Sequence, residues 1–284
     1  MSRFVHHYAR LDGLVMHYVA AGTGFPVVLL HGWPQTWFAW RHVIERLAPT
    51  WRVIAPDLRG LGDSSRPADG YDSETLAADL RQLLEQHLGI RDFHLVGHDW
   101  GGPTAFALAA AEPQAVRTLT VLDVTLPGLG SDFSQGGRRW HHAFHMTDDL
   151  PEALVTGRER AYLGWFYREY AWRPDAIGPE DIDEYLRTYV QPGALRAGFS
   201  LYRNLPKNAA RNQALRDAGF RLPMPVLALG GARTESRGRG TEPEASLRCI
   251  AADVTGGTIA NAGHFIPEEQ PQALVERLIA FWNR

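Results

Sequence analysis

The chain has 284 residues, of which 45% are hydrophobic and 21% charged. That composition excludes a disordered chain, a collagen and a coiled coil, and the length allows one or two domains with a large buried core. Lys and Arg number 29 against 32 Asp and Glu, a net charge of −3, so there is no electrostatic footprint for nucleic acid or an anionic membrane. The single cysteine, Cys249, excludes an internal disulfide and multi-cysteine zinc cages. No apolar run reaches the roughly 18 residues of a membrane span. Residues 1–8 lack the apolar stretch of a signal peptide. These features lead to the expectation of a cytoplasmic protein without nucleic-acid or membrane partners.

In chain order, 14–20 and 26–31 are short apolar runs bounded by glycines and predict strands. Helical spacing follows over 38–47, then a strand over 52–55 that ends at Pro56-Asp57. Leu76, Leu80, Leu83, Leu84 and Leu88 fall on one face of a helix over 73–88, with capping residues at its start. A strand at 93–96, a small-residue helix at 103–111 and a strand at 116–122 complete the first part. From about 125 to 218 no strand pattern appears, and the Trp-, Tyr-, Arg- and Leu-rich segment, punctuated by prolines, reads as short helices. Alternation resumes with strands at 226–229 and 254–259 and helices near 244–251 and 268–282; 233–240 is the most loop-like stretch. Alternating strands and helices predict a mostly parallel sheet covered on both faces. The expected organisation is a core from 1–125 and 219–284, with 126–218 inserted as a helical cap over the strands' carboxyl ends, where open α/β sheets place their sites.

One strand runs into Gly97-His98-Asp99-Trp100-Gly101 and then a helix. This is the G-x-nucleophile-x-G elbow, with Asp99 at the nucleophile position. A glycine-rich turn with a capping aspartate would look the same in isolation, but two further segments support the elbow. His31-Gly32-Trp33-Pro34 follows a buried strand, so the Trp33 amide, with that of Trp100, is placed to form an oxyanion hole. Asn261-Ala262-Gly263-His264 lies between the last strand and last helix, the place of the triad histidine. Aspartate changes the reaction. With a pKa near 3.9 it is ionised at neutral pH without help from a base. It can displace a leaving group from saturated carbon and become an ester, leaving His264 to activate the water that hydrolyses it. Epoxides and alkyl halides are the substrates that suit such a step.

These motifs, together with Asp57-Leu-Arg-Gly-Leu-Gly-Asp-Ser-Ser65, resemble the α/β-hydrolase superfamily over essentially the whole length, and within it the epoxide hydrolases. The lid segments Arg139-Trp-His-His-Ala-Phe-His145 and Arg196 to Arg203 are similar to those of bacterial Cif-type epoxide hydrolases. That resemblance implies His141 and Tyr202 as the pair that hydrogen-bonds the departing epoxide oxygen. His142 and His145 are near alternatives, and Tyr162, Tyr167 and Tyr170 read as packing. It also implies Asp123, 24 residues beyond Asp99, as the triad acid, with Glu235 the alternative in the loop where many relatives place it. Members of that subgroup are exported and carry a cysteine pair around the histidine; Ala262 stands here, so export is not carried over.

Two other readings compete. Fluoroacetate-type dehalogenases carry arginines after the nucleophile, where this chain has Trp100, Gly101, Gly102 and Pro103. Haloalkane-type enzymes use an Asn after the His-Gly pair, where Trp33 stands. A non-catalytic ligand-binding member of the fold is the third reading. The implied mechanism requires no metal or organic cofactor; its partners are a small epoxide and water, with a homodimer through the lid as an analogy only.

Overall fold

The computed structural model describes residues 4–284. An eight-stranded sheet runs in the order β1-β2-β4-β3-β5-β6-β7-β8. β1 (Val5–Leu11) and β2 (Leu14–Ala21) form an antiparallel hairpin, and β2 also pairs antiparallel with β4 (Trp51–Pro56). From β4 onward, β3 (Phe25–Leu30), β5 (Phe93–His98), β6 (Val116–Leu122), β7 (Val226–Gly231) and β8 (Val254–Ile259) pair in parallel. The central strands are buried along their length, as their Val- and Leu-rich sequences require. β1 is absent from the sequence reading. It pairs on one side only, and Val5 and Tyr8 are exposed, so no inward apolar alternation marks it.

Two apolar layers flank the sheet. On one face, α1 (Arg41–Leu47) and α12 (Pro271–Trp282) bury Val43, Ile44, Leu274 and Leu278. On the other, α2 (Ser73–Arg81), α3 (Gly101–Ala111) and α10 (Glu242–Arg248) bury Leu76, Leu80, Phe106 and Leu247. The Asp72 side chain caps α2 by accepting the Thr75 N–H. The helix expected over 73–88 changes to π-type turns at Gln82–His87, where Leu88 N–H reaches the Leu83 carbonyl, before Gly89 at positive φ ends it. Short α11 (Ile266–Glu269) precedes α12.

Between β6 and β7 lie α4 (His141–Met146), α5 (Leu150–Val155), α6 (Glu159–Tyr170), α7 (Pro179–Tyr189), α8 (Ala194–Arg203) and α9 (Leu205–Asp217). Their buried rings reach Trp33 and His264, beyond the carboxyl ends of β3 and β8. Among the described residues no helix is long and apolar enough to cross a membrane.

The loop from Asp57 to Ser65 supports the frame. Asp57 accepts the Trp37 and Asp63 amides and meets His17 at 2.7 Å, while Arg59 forms a buried bidentate pair with Asp79 at 2.7 and 2.8 Å. His17, Asp57 and Asp63 could offer ligand atoms within 4.8 Å of one another. Both Asp57 oxygens, however, are already engaged by N–H donors of the fold.

Candidate active site

Asp99 sits between β5 and α3 with φ +50°, a left-handed conformation that is rare outside glycine. The turn is possible because its neighbours lack side chains. A Cβ on Gly97 would lie 2.2 Å from the Gly101 carbonyl oxygen, and one on Gly32 would lie 2.3 Å from Asp99 Oδ1. The carboxylate therefore projects beyond the strand with only 15% of its side chain exposed. The Trp33 N–H donates to Oδ1 at 2.8 Å, and His264 Nε2 lies 3.5 Å from Oδ2. Burial pushes the Asp99 pKa up, but the hydrogen bond and charge of His264, the charge of His98 and the Trp100 N–H outweigh it. The group is held well below the usual carboxylate range and stays ionised.

Asp123 is fully buried at the end of β6, also at positive φ. Oδ1 accepts the amides of Gly231 (2.8 Å) and Arg239 (2.7 Å), and Oδ2 accepts His264 Nδ1–H at 2.7 Å. Burial raises the Asp123 pKa, but the bond to His264, then the charges of His264 and Arg139, bring it below its ordinary value. Burial lowers the His264 pKa, but its bonds to Asp123 and Asp99 raise it above 6.5. Glu235 is exposed, on a short 3₁₀ turn, and pairs with Arg233; the carboxylate that meets His264 is Asp123.

The His264 backbone is fixed from three sides. Its N–H donates to the Tyr170 carbonyl at 2.8 Å, and His98 Nε2–H donates to its carbonyl at 2.7 Å. Half-buried Glu269 accepts the Phe265 and Gly263 amides at 2.9 and 3.1 Å and, from beyond α6, the Trp172 amide at 2.5 Å. Burial pushes Glu269 up to about 7. Adjacent Glu268, also pushed to about 7 by burial, accepts from Arg41 and from Gln35 in the Trp33 loop.

Aromatic groups of the cap close the other side. Tyr202 of α8 is 2% exposed, its ring edge-on to Trp100 at 5.0 Å and to Trp33 at 5.7 Å. His141 stacks on Trp33 at 6.0 Å, and its Nδ1 lies 3.2 Å from the Tyr170 hydroxyl. With Asp99 and His264 these groups line a cavity of about 10 Å³. Of the three lid histidines, His141 alone lines it: His142 turns to Ser134 Oγ at 3.0 Å and His145 to the Tyr162 hydroxyl at 2.6 Å. Burial, then the neighbouring histidines, pushes the His141 pKa well down, so it is neutral.

Tyr167 packs as expected, its hydroxyl donating to the Pro34 carbonyl. Tyr170 does not: read as packing, it lines the cavity and bonds His141. Arg139, Phe166 and Glu269 are further site residues that the sequence did not distinguish. Tyr170 and Phe166 are four apart on one helix face, but so are Tyr162 and Phe166, and Glu269 reads as a first-turn helix carboxylate.

Known proteins are similar to this chain over most or all of its length. A model of the alpha/beta hydrolase fold family matches residues 26–271. A soluble epoxide hydrolase of Corynebacterium sp. (strain C12) is 40% identical over 289 residues, covering 99% of this chain and 98% of that protein. The solved structure of wild-type Cfl2 from Burkholderia cenocepacia superposes with a TM-score of 0.89 at 42% identity, covering 98% of this chain and 95% of that one. That of the epoxide hydrolase CorEH without ligand gives 0.87 at 38%, covering 99% of each. The chain belongs to the α/β-hydrolase family, in the branch that holds the epoxide hydrolases.

Proposed function

We propose that the protein hydrolyses epoxides to vicinal diols through an ester on Asp99. The observation that carries this reading is an ionised carboxylate at the elbow, with a His–Asp pair behind it and neutral hydrogen-bond donors facing it. Oδ1 is engaged by the Trp33 amide, so Oδ2 is the attacking atom. It forms a bond to a ring carbon, the carbon–oxygen bond breaks, and the ring oxygen takes a proton or strong hydrogen bond from Tyr202 and His141. With Tyr170 O–H donating to His141 Nδ1, the neutral imidazole carries its own proton on Nε2 and presents a donor.

In the second step His264 Nε2 takes a proton from water as the water oxygen attacks the Asp99 ester carbon. Negative charge develops on Oδ1, facing the Trp33 and Trp100 amides. Asp123 holds the proton on Nδ1 and stabilises the imidazolium. Collapse expels the diol oxygen, which takes the proton from His264. The second water proton, left on the Asp99 carboxyl, returns to the donor that protonated the ring oxygen, and Asp99 is again a carboxylate. Donors able to protonate an alkoxide favour an epoxide over a halide, which leaves without a proton.

A single turnover of styrene oxide in ¹⁸O-water tests the scheme. Label in Asp99 and none in the diol is the expected result. Label in the diol would mean direct attack by water and would remove the ester. No diol under any condition would remove the activity.

A further inference from the structure

The cavity beside Asp99 holds about 10 Å³, room for about one water and for no organic epoxide. Its cap wall must part when substrate binds, and one stretch of that wall is a single ring. Phe166 lines the cavity, 5.0 Å from both His141 and Trp33, ring centre to ring centre. The same ring meets Trp165 at 4.9 Å, Tyr162 at 5.3 Å and Trp140 at 6.0 Å. Those three residues also line an open groove of about 410 Å³ between α4, α5 and α6. Cavity and groove thus share one partition.

The groove has the size of a small-molecule site. Phe144, Leu154 and Val155 complete an apolar lining, and its one charged side chain, Arg158, donates to the Leu154 carbonyl. Trp140 is 42% and Leu154 52% exposed, and Met146 and Leu150 are exposed nearby. A concentration of apolar surface in water marks a binding site. The reaction needs volume on the cap side that the cavity lacks, and the groove supplies it behind Phe166.

We infer that this groove is the subsite for the apolar substituent of the epoxide, an alkyl chain or aryl ring, which reaches Asp99 when Phe166 swings aside. The inference rests on the epoxide hydrolase reading and adds its substrate class: terminal epoxides with a long apolar substituent.

Leu154→Arg and Ala161→Trp test it, one placing a charge in the groove and the other filling it. Both positions are exposed on helix surfaces, so folding is not at stake. The readout is kcat/KM for 1,2-epoxydecane divided by that for propylene oxide. The expected result is a fall of about tenfold or more in this ratio for both variants. A ratio unchanged in both overturns the inference. If light scattering shows a dimer that Leu154→Arg splits while the ratio stays constant, a second copy of the chain occupies the groove and the inference is equally overturned. Wild-type protein that opens neither epoxide removes the functional reading itself, whereas turnover of both with an unmoved ratio removes only the groove.

Discussion

The two halves of the site are held by different forces. On the core side, Asp99, Asp123 and the Trp33 amide stand at strand ends and are fixed by backbone hydrogen bonds of 2.7–2.8 Å. On the cap side, His141, Tyr202 and Phe166 are held mainly by rings packed on rings, and among the described residues the one side-chain hydrogen bond of His141 is to Tyr170 at 3.2 Å. Backbone-anchored groups keep the tight geometry that attack and ester hydrolysis need. Ring packing lacks such directional constraints, so this half can rearrange to admit a substrate that the closed cavity excludes. In the proposed mechanism this contrast is a division of labour: the sheet would carry both covalent steps, and the cap leaving-group assistance and substrate choice.

Substitutions in the two halves should therefore fail differently. Asp99→Ala removes the proposed nucleophile, and diol formation should fall by on the order of 10⁴-fold or more in a steady-state assay, with no covalent adduct by mass. Tyr202→Phe removes one proposed donor to the departing oxygen. Formation of the ester should slow by about 10²-fold in rapid-quench measurements, with no ester accumulating, because the core half still hydrolyses what forms. Ester accumulation in this variant would break the division.

Glu269→Gln probes the seam between the halves, since Glu269 ties the His264 turn to the chain beyond α6. An amide NH₂ cannot accept one of the three N–H donors, so the turn should loosen. A fall of about tenfold in kcat with accumulated ester is expected, and an equal loss in both steps would assign Glu269 to stability alone.

The smallest effect is electrostatic. His264 should titrate above 6.5 by imidazole NMR, because Asp123 and Asp99 favour its charged form more than burial disfavours it. Asp123→Asn should lower that value. The folded pKa is the raised one, so the stability His264 contributes is full below pH 6.5 and is lost as pH rises through its folded pKa. Denaturant midpoints across that range check the sign.

Much of the core half was legible in the sequence. The parallel strands are continuous Val and Leu runs, and the elbow, the His-Gly turn and the Gly-His turn are short segments whose residue types are dictated by local sterics, as the clashes at Gly97 and Gly32 show. Asp123 was less legible, since its partner His264 lies 141 residues away and resemblance, not pattern, separated it from Glu235. The cap half was legible only in part. Tyr170 and Phe166 sit among many aromatics of one helix, and only packing decides which ring faces the cavity. Glu269 acts on amides from two distant segments, which no local pattern encodes. The edge strand β1 escaped because half its hydrogen-bonding surface and several of its side chains face water.

The mechanism stands or falls on Asp99 itself becoming the ester of an opened epoxide. The measurement that tests it most directly is intact mass and peptide mapping of His264→Gln after exposure to 1,2-epoxyhexane, with 1-bromohexane in parallel. The variant keeps the nucleophile but lacks the base for release. The expected result is a mass gain equal to the whole epoxide, mapped to Asp99. An adduct only from the bromide, or none from either reagent, would contradict it.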